Sequence, residues 1–136
     1  MKEVMAVVRI NKINATKKAL NDAGITSFTA TGKVLGRGRG VVDFRILDGA
    51  REGRQEAISL LGSGPRLVAK RLITVVVSDD FVERTVKAII KANQTGNAGD
   101  GKIFVLPILE ATRVRTGETV RGKSGGGVLD SSGGLN

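Results

Sequence analysis

The chain has 136 residues, 40% hydrophobic and 26% charged, which suits one domain with one modest core. It has neither Cys nor His, which excludes disulfide frameworks, thiolate or imidazole metal sites and triads built on an imidazole base. Its net charge of +9 points to an anionic partner without choosing among nucleic acid, nucleotide, small acid and acidic protein.

From the N-terminus, Met1-Lys2-Glu3 leads into the apolar, β-branched stretch Val4 to Ile10, which predicts a strand. No long apolar segment precedes it and no run is long enough to span a bilayer, so a cytoplasmic location without membrane insertion is expected. After Asn11-Lys12, the residues Ile13, Ala19, Leu20 and Ala23 fall on one helical face, and Gly24 stops that helix. Ser27 to Leu35 alternates well enough for a strand.

The pattern then breaks. Gly36-Arg-Gly-Arg-Gly40 opens a long connection and Gly62-Ser-Gly-Pro65 closes it, with Glu52 to Leu61 as a candidate short helix. A connection of this length in so small a domain predicts a functional segment.

Arg71 to Val77 is a dense apolar run that predicts a central strand, and Asp79-Asp80 follow as a helix cap. Phe81, Val82, Val86, Ala88, Ile89, Ile90 and Ala92 recur at helical intervals up to Gly96. Lys102 to Leu106 and Ile108 to Val114 read as two closing strands, with a bend or edge at Pro107. The Gly- and Ser-rich tail from Lys123 onward reads as disordered. Strand, polar break and amphipathic helix thus occur twice, which predicts an α+β, ferredoxin-like doubled βαβ sandwich.

Thr95-Gly-Asn-Ala-Gly-Asp-Gly-Lys102 lies between a helix and a strand, and its glycines allow backbone N–H groups to approach a phosphate while Lys102 adds charge. A helix stop followed by a turn explains the same residues. The loop is not a Walker A motif, because Ile103 follows Lys102 where Ser or Thr is needed. Arg113 and Arg115, two apart on a predicted strand, would share a face and grip a polyphosphate, or would simply protect an edge. Arg37 and Arg39 among Gly36, Gly38 and Gly40 form a basic hook for phosphate, carboxylate or RNA, or a solvated hairpin tip.

Thr95-Gly-Asn-Ala-Gly-Asp-Gly-Lys-Ile-Phe104 resembles the B-loop signature of the PII nitrogen-regulatory family, and Arg113-Val-Arg-Thr-Gly-Glu118 resembles its C-terminal signature. The resemblance extends to Val4 to Arg9, Gly24-Ile25, Phe28-Thr29, Leu35-Gly36-Arg37 and Arg71 to Asp80. It implies a trimer of ferredoxin-like subunits, each spanning residues 1–122 and carrying a long T-loop at about residues 37–69. It also implies ATP or ADP in each cleft between neighbours, Mg²⁺ with the ATP, and 2-oxoglutarate beside the phosphates as the signal of nitrogen shortage.

Carried over by position, Thr29, Gly36, Arg37, Val76, Gly99, Asp100, Gly101 and Lys102 should line one wall of the nucleotide site, and Gly38 and Arg39 are implied as further nucleotide-binding residues. Arg113 and Arg115 match the arginines that contact the phosphates. The effector set implied is Arg37, Gly38, Arg39, Gly40, Lys70 and Gly99, with Gly38 standing where the family usually has the Gln that organises Mg²⁺ and 2-oxoglutarate.

The chain contains no Tyr, which excludes uridylylation of a T-loop tyrosine. A long T-loop carrying Val41-Val-Asp-Phe-Arg-Ile-Leu47 is most similar to the nitrogenase-associated branch, and to the second of its two paralogues. That branch implies the dinitrogenase component and a sister PII paralogue as partners, in a homotrimer or a mixed hexamer. Phe44, Arg45, Ile46, Leu47, Arg51 and Arg54 would meet the partner, although Phe44, Ile46 and Leu47 also suit packing on the body. A PII regulator of an ammonium transporter is the competing reading. An RNA-binding ferredoxin-like module would need a row of exposed rings, for which Phe28, Phe44, Phe81 and Phe104 are scattered too widely. No acid, base and nucleophile stand together in the sequence, so a regulatory protein is expected rather than an enzyme.

Overall fold

The computed structural model describes residues 1–37 and 67–123. In chain order these form β1 (Lys2–Arg9), a 3₁₀ turn (Ile10–Lys12), α1 (Ile13–Asp22), β2 (Thr29–Arg37) and β3 (Leu67–Val77). A second 3₁₀ turn (Asp79–Phe81), α2 (Val82–Asn93), β4 (Lys102–Pro107), β5 (Glu110–Thr112) and β6 (Thr119–Arg121) follow. The main sheet is antiparallel with order β2-β3-β1-β4, and β5 pairs with β6 in a separate hairpin. This is the ferredoxin-like arrangement expected from the doubled βαβ pattern.

Strand periodicity decides which face is covered. Val4, Ala6 and Val8 of β1 and Ile73, Val75 and Val77 of β3 alternate onto the helical side and are buried. They pack with Ile13 and Leu20 of α1 and Ala88 and Ile89 of α2, with Phe28 and Phe81 at the margin of the same core. Each such large side chain contributes about 1.5–3 kcal/mol by leaving water. Register places Met5, Val7, Leu72, Thr74 and Phe104 on the opposite face, where no described helix covers them.

α1 closes as the sequence predicts. Gly24 takes φ 85°, its N–H donates to Asn21, and the Ile25 N–H donates to Leu20, a Schellman arrangement that satisfies the last carbonyls of the helix. α2 differs, ending at Asn93 rather than running to Gly96. The N–H groups of Thr95 and Gly96 donate to the Asp100 carboxylate and so leave the helical ladder.

Asp79 and Asp80 do not cap a helix through their side chains; they form the 3₁₀ turn instead. The Asp79 carboxylate lies 3.0 Å from the Met1 ammonium, which holds its pKa below the ordinary value against an opposing effect of burial. Lys123, expected in the disordered tail, accepts from the Asp79 N–H and is docked against the start of β1. β2 and β3 run further than expected, to Arg37 and back to Leu67, because their ladder continues through Leu35↔Ala69 to Arg37↔Leu67. The candidate helix at Glu52 to Leu61, most of the T-loop and the tail from residue 124 lie outside the described residues.

Candidate functional site

The end of β1 and the starts of β3 and β4 meet at one edge of the domain. Arg9 is the register partner of Lys70, and Val7 is the partner of both Leu72 and Lys102. The loop from Gln94 to Gly101 closes over this edge between α2 and β4.

Two glycines let the loop come so close. Gly101 has φ 116°, and a Cβ there would lie 2.1 Å from the Val7 carbonyl oxygen, so only hydrogen fits against that backbone. Gly99 has φ 96°, and a Cβ would approach Arg9 Nη2 at 3.3 Å and Lys70 Nζ at 3.8 Å. Gly36 serves the opposite wall, where a Cβ would press on Lys70 Cγ at 3.3 Å.

Asp100 organises the loop from inside. Its carboxylate accepts from the Thr95 hydroxyl, the Thr95 N–H at 2.7 Å, the Gly96 N–H at 3.0 Å and Arg9 Nη1. The Thr95 hydroxyl and N–H, with Arg9 and the Gly96 N–H, hold its pKa far below the usual carboxylate range despite an opposing desolvation effect. The carboxylate therefore shapes the loop.

Two cations brace the outside. Arg9 Nη2 donates to the Ala98 carbonyl at 3.0 Å, and Lys70 Nζ donates to the Gly99 carbonyl at 2.9 Å. Lys70 is only 7% exposed, yet among the described residues no carboxylate lies within ion-pair distance of it. A buried cation without a counter-ion is costly, and an anion entering beside it lowers that cost.

The expected site residues separate into two groups. Gly36, Lys70, Gly99, Asp100, Gly101 and Lys102 come together at the loop edge. Arg113 and Arg115 are rooted at the opposite end of the sheet, in a hairpin whose Ala111 and Val120 pack with Met1, Val76 and Ile108. β1 spans that distance, roughly 20 Å at the rise of a strand. Thr29 is the partner of Thr74 and stands at the far end of β2 from Gly36. The expectation of one wall holding Thr29 and Val76 together with the glycine loop is thus corrected by the sheet register.

Arg113 and Arg115 also do not lie on a strand. They occupy the turn after β5, where the Arg113 N–H donates to the Glu118 carbonyl and the Gly117 N–H donates back to Arg113. Period-two reasoning about a shared face does not apply to a turn. Ile108 to Val114 keeps only Glu110–Thr112 as strand, because Gly117 at φ 71° reverses the chain.

The backbone of Arg37 ends β2 opposite Leu67. Gly38, Arg39, Gly40, Phe44, Arg45, Ile46, Leu47, Arg51 and Arg54 lie outside the described residues. Among the described phenylalanines, Phe28 and Phe81 pack against the core and Phe104 is half exposed, so they present no row of stacking rings. No group of three or more His, Cys, Asp or Glu residues suited to a metal occurs among the described residues. None of the described helices is long and apolar enough to cross a membrane.

Sequence reasoning missed Arg9 as part of the site, and placed Thr95 in the glycine loop without its contacts to Asp100. Arg9 closes an ordinary strand, and only the register that sets it against Lys70 marks it as unusual, since like charges opposite one another destabilise a sheet.

Comparison with known proteins agrees with this geometry. The family model for nitrogen regulatory protein P-II matches residues 1–118. The chain is 45% identical to the nitrogen fixation nifHD region GlnB-like protein 2 of Methanobacterium ivanovii, covering 88% of this chain and 95% of that protein. It is 43% identical to the nifHD1 region GlnB-like protein 2 of Methanosarcina barkeri, covering 87% and 94%. Among solved structures, Arabidopsis thaliana PII bound to citrate superposes with a TM-score of 0.64 at 34% identity, over 88% of this chain and 87% of that one. With its ferredoxin-like sheet, its glycine loop braced by Arg9 and Lys70, and relatives named for the nitrogen-fixation region, the chain belongs to the PII family of nitrogen regulators, in its nitrogenase-associated branch.

Proposed function

We propose that this protein senses nitrogen status by binding ATP or ADP together with 2-oxoglutarate, and regulates nitrogenase through the segment between Arg37 and Leu67. The observation that carries this reading is Lys70, a buried cation beside a glycine loop, with no carboxylate partner among the described residues. A dicarboxylate supplies the missing charge, and a nucleotide phosphate suits the N–H groups and Lys102 of the loop. Mg²⁺ would enter with the nucleotide and offset the charge of its phosphates.

The two groups of site residues support a nucleotide shared between copies. Gly36, Gly99, Gly101 and Lys102 of one subunit would take the phosphates from one side. Arg113 and Arg115, with Thr29 and Val76, would approach from a neighbour in a trimer. The uncovered sheet face with Met5, Val7 and half-exposed Phe104 suits burial in such an assembly. The role is regulatory, not catalytic. The dinitrogenase component and a sister PII paralogue are the proposed partners, in a cytoplasmic homotrimer or mixed hexamer.

The test is acetylene reduction by purified nitrogenase with this protein and its sister paralogue added. The reading predicts inhibition that ATP and 2-oxoglutarate together relieve. Full activity at several-fold molar excess would overturn it and favour the ammonium-transporter reading.

A further inference from the structure

A groove of about 530 Å³ runs between α1 and α2, and none of the residues lining it belongs to the loop edge. Lys18, Arg84, Lys87 and Lys91 line it, against one carboxylate, Asp22. Lys18 pairs with Asp22 and Lys87 with Glu83, both at 2.8 Å and both largely exposed, so solvent screens these pairs and a competing carboxylate can replace them. Among the described residues, no carboxylate lies within ion-pair distance of Arg84 or Lys91. The dipole of α2 accounts for Lys91 in its last turn but disfavours Arg84 in its first, and Arg84 is held 4.8 Å over the Phe81 ring. We propose that this groove is a docking surface separate from the segment between Arg37 and Leu67, and that its occupant is an acidic helix of a partner protein.

Charge and shape together select the occupant. Arg84, Lys87 and Lys91 stand at i, i+3 and i+7 on one stripe of α2, a span of roughly 10 Å at the rise of a helix. A partner helix with carboxylates at the same intervals repeats that spacing. Ala15, Ala19 and Ala92 line the groove with nothing longer than a methyl group, so the partner backbone can approach closely while Lys18 meets it from α1. A nucleic-acid duplex is wider than the space between two packed helices, whose axes lie about 8–10 Å apart, and would touch the lysines without reaching the alanines. A membrane surface needs large apolar side chains projecting among the cations, and the lining residues include none. The inference does not depend on nucleotide or effector binding.

The experiment is fluorescence anisotropy of the intact protein with two labelled helical peptides of about 18 residues, built from Ala, Leu and Glu with equal charge. One carries its Glu residues on a single face at intervals of three and four, and the other spreads them around the helix. The proposal predicts a Kd for the one-faced peptide about tenfold below that for the other. Reversing two charges together, Lys87→Glu with Lys91→Glu, should weaken the one-faced peptide by about tenfold or more. Ala15→Trp, at an exposed position, fills the groove without altering charge and should weaken it similarly. Equal binding of the two peptides, or unchanged binding in Ala15→Trp, would reduce the groove to a diffuse positive field and overturn the proposal. No binding below about 1 mM would overturn it as well. Tighter binding of a duplex RNA than of the peptide, lost on charge reversal, would assign this face to nucleic acid and overturn it. If circular dichroism shows that Ala15→Trp does not fold, the charge reversal and the peptide comparison decide.

Discussion

Arg9 and Lys70 face each other across β1 and β3, and a side chain on Gly99 would touch both of them. Two cations so placed are poor sheet partners and a good anion receptor. Lys70→Met should therefore leave the unfolding free energy within about 1 kcal/mol of wild type, since it removes one hydrogen bond and one like-charge opposition together. The same change should abolish the effect of 2-oxoglutarate on ATP binding. Urea unfolding and calorimetry check the two halves, and a loss of more than about 3 kcal/mol would make Lys70 a structural residue.

Gly101→Ala should be the most damaging glycine substitution in the loop. Its Cβ would enter the Val7 backbone at a positive φ, so either β4 or the loop must move. A cost of about 1–3 kcal/mol from backbone strain, with at least tenfold weaker ATP binding, is expected. Gly99→Ala meets the ends of long side chains instead and should cost less stability. Thermal unfolding of both variants ranks them.

Asp100 should stay ionised well into acid. Its folded pKa is lowered, so its contribution is complete above the ordinary carboxylate value of about 4 and fades as pH falls toward the folded value. Carbon NMR of the side-chain carboxyl should show no titration near pH 4. Thr95→Ala should raise the pKa more than Arg9→Ala, because the Thr95 hydroxyl is the largest cause. A midpoint near 4 in the wild type would contradict the loop geometry.

Asn93 ties the end of α2 to α1 just before the loop begins. Its side-chain amide donates to the Thr16 hydroxyl at 2.8 Å and to the Ile89 carbonyl at 2.9 Å. Asn93→Ala should cost about 1–2 kcal/mol, less than two full hydrogen bonds because the amide oxygen is buried without a partner. A double-mutant cycle with Thr16→Ala should give a coupling of about 0.5–1.5 kcal/mol, and additivity would refute the pair.

A shared site also predicts complementation. Neither Gly101→Ala chains nor chains with both Arg113→Ala and Arg115→Ala should bind ATP well by themselves. Refolded together at equal amounts, they should recover about a quarter of the sites by random pairing of intact halves in closed rings. No recovery would place both halves within one subunit.

The strands and helices were legible because their apolar periods agree with one core: Val4, Ala6 and Val8 alternate, and Leu20 and Ile89 lie on helical faces. The glycine loop was legible because close backbone approach requires glycine, as Gly101 shows. What escaped depends on contacts distant in sequence. Arg9 meets Asp100 across 91 positions, and no local pattern marks it. The end of α2 escaped for the same reason, since Asp100 draws Thr95 and Gly96 out of the helix. Arg113 and Arg115 were misplaced because β-branched neighbours suggested a strand where Gly117 makes a turn. The division of the site into two groups required the register of β1 against β3 and β4, which composition does not encode.

The most direct measurement is calorimetric titration of ATP into the wild-type protein, with and without Mg²⁺ and 2-oxoglutarate. Saturable ATP binding that 2-oxoglutarate tightens is the predicted result. Absence of ATP binding under every condition would contradict the assignment of the glycine loop and Lys70 to a nucleotide and effector site.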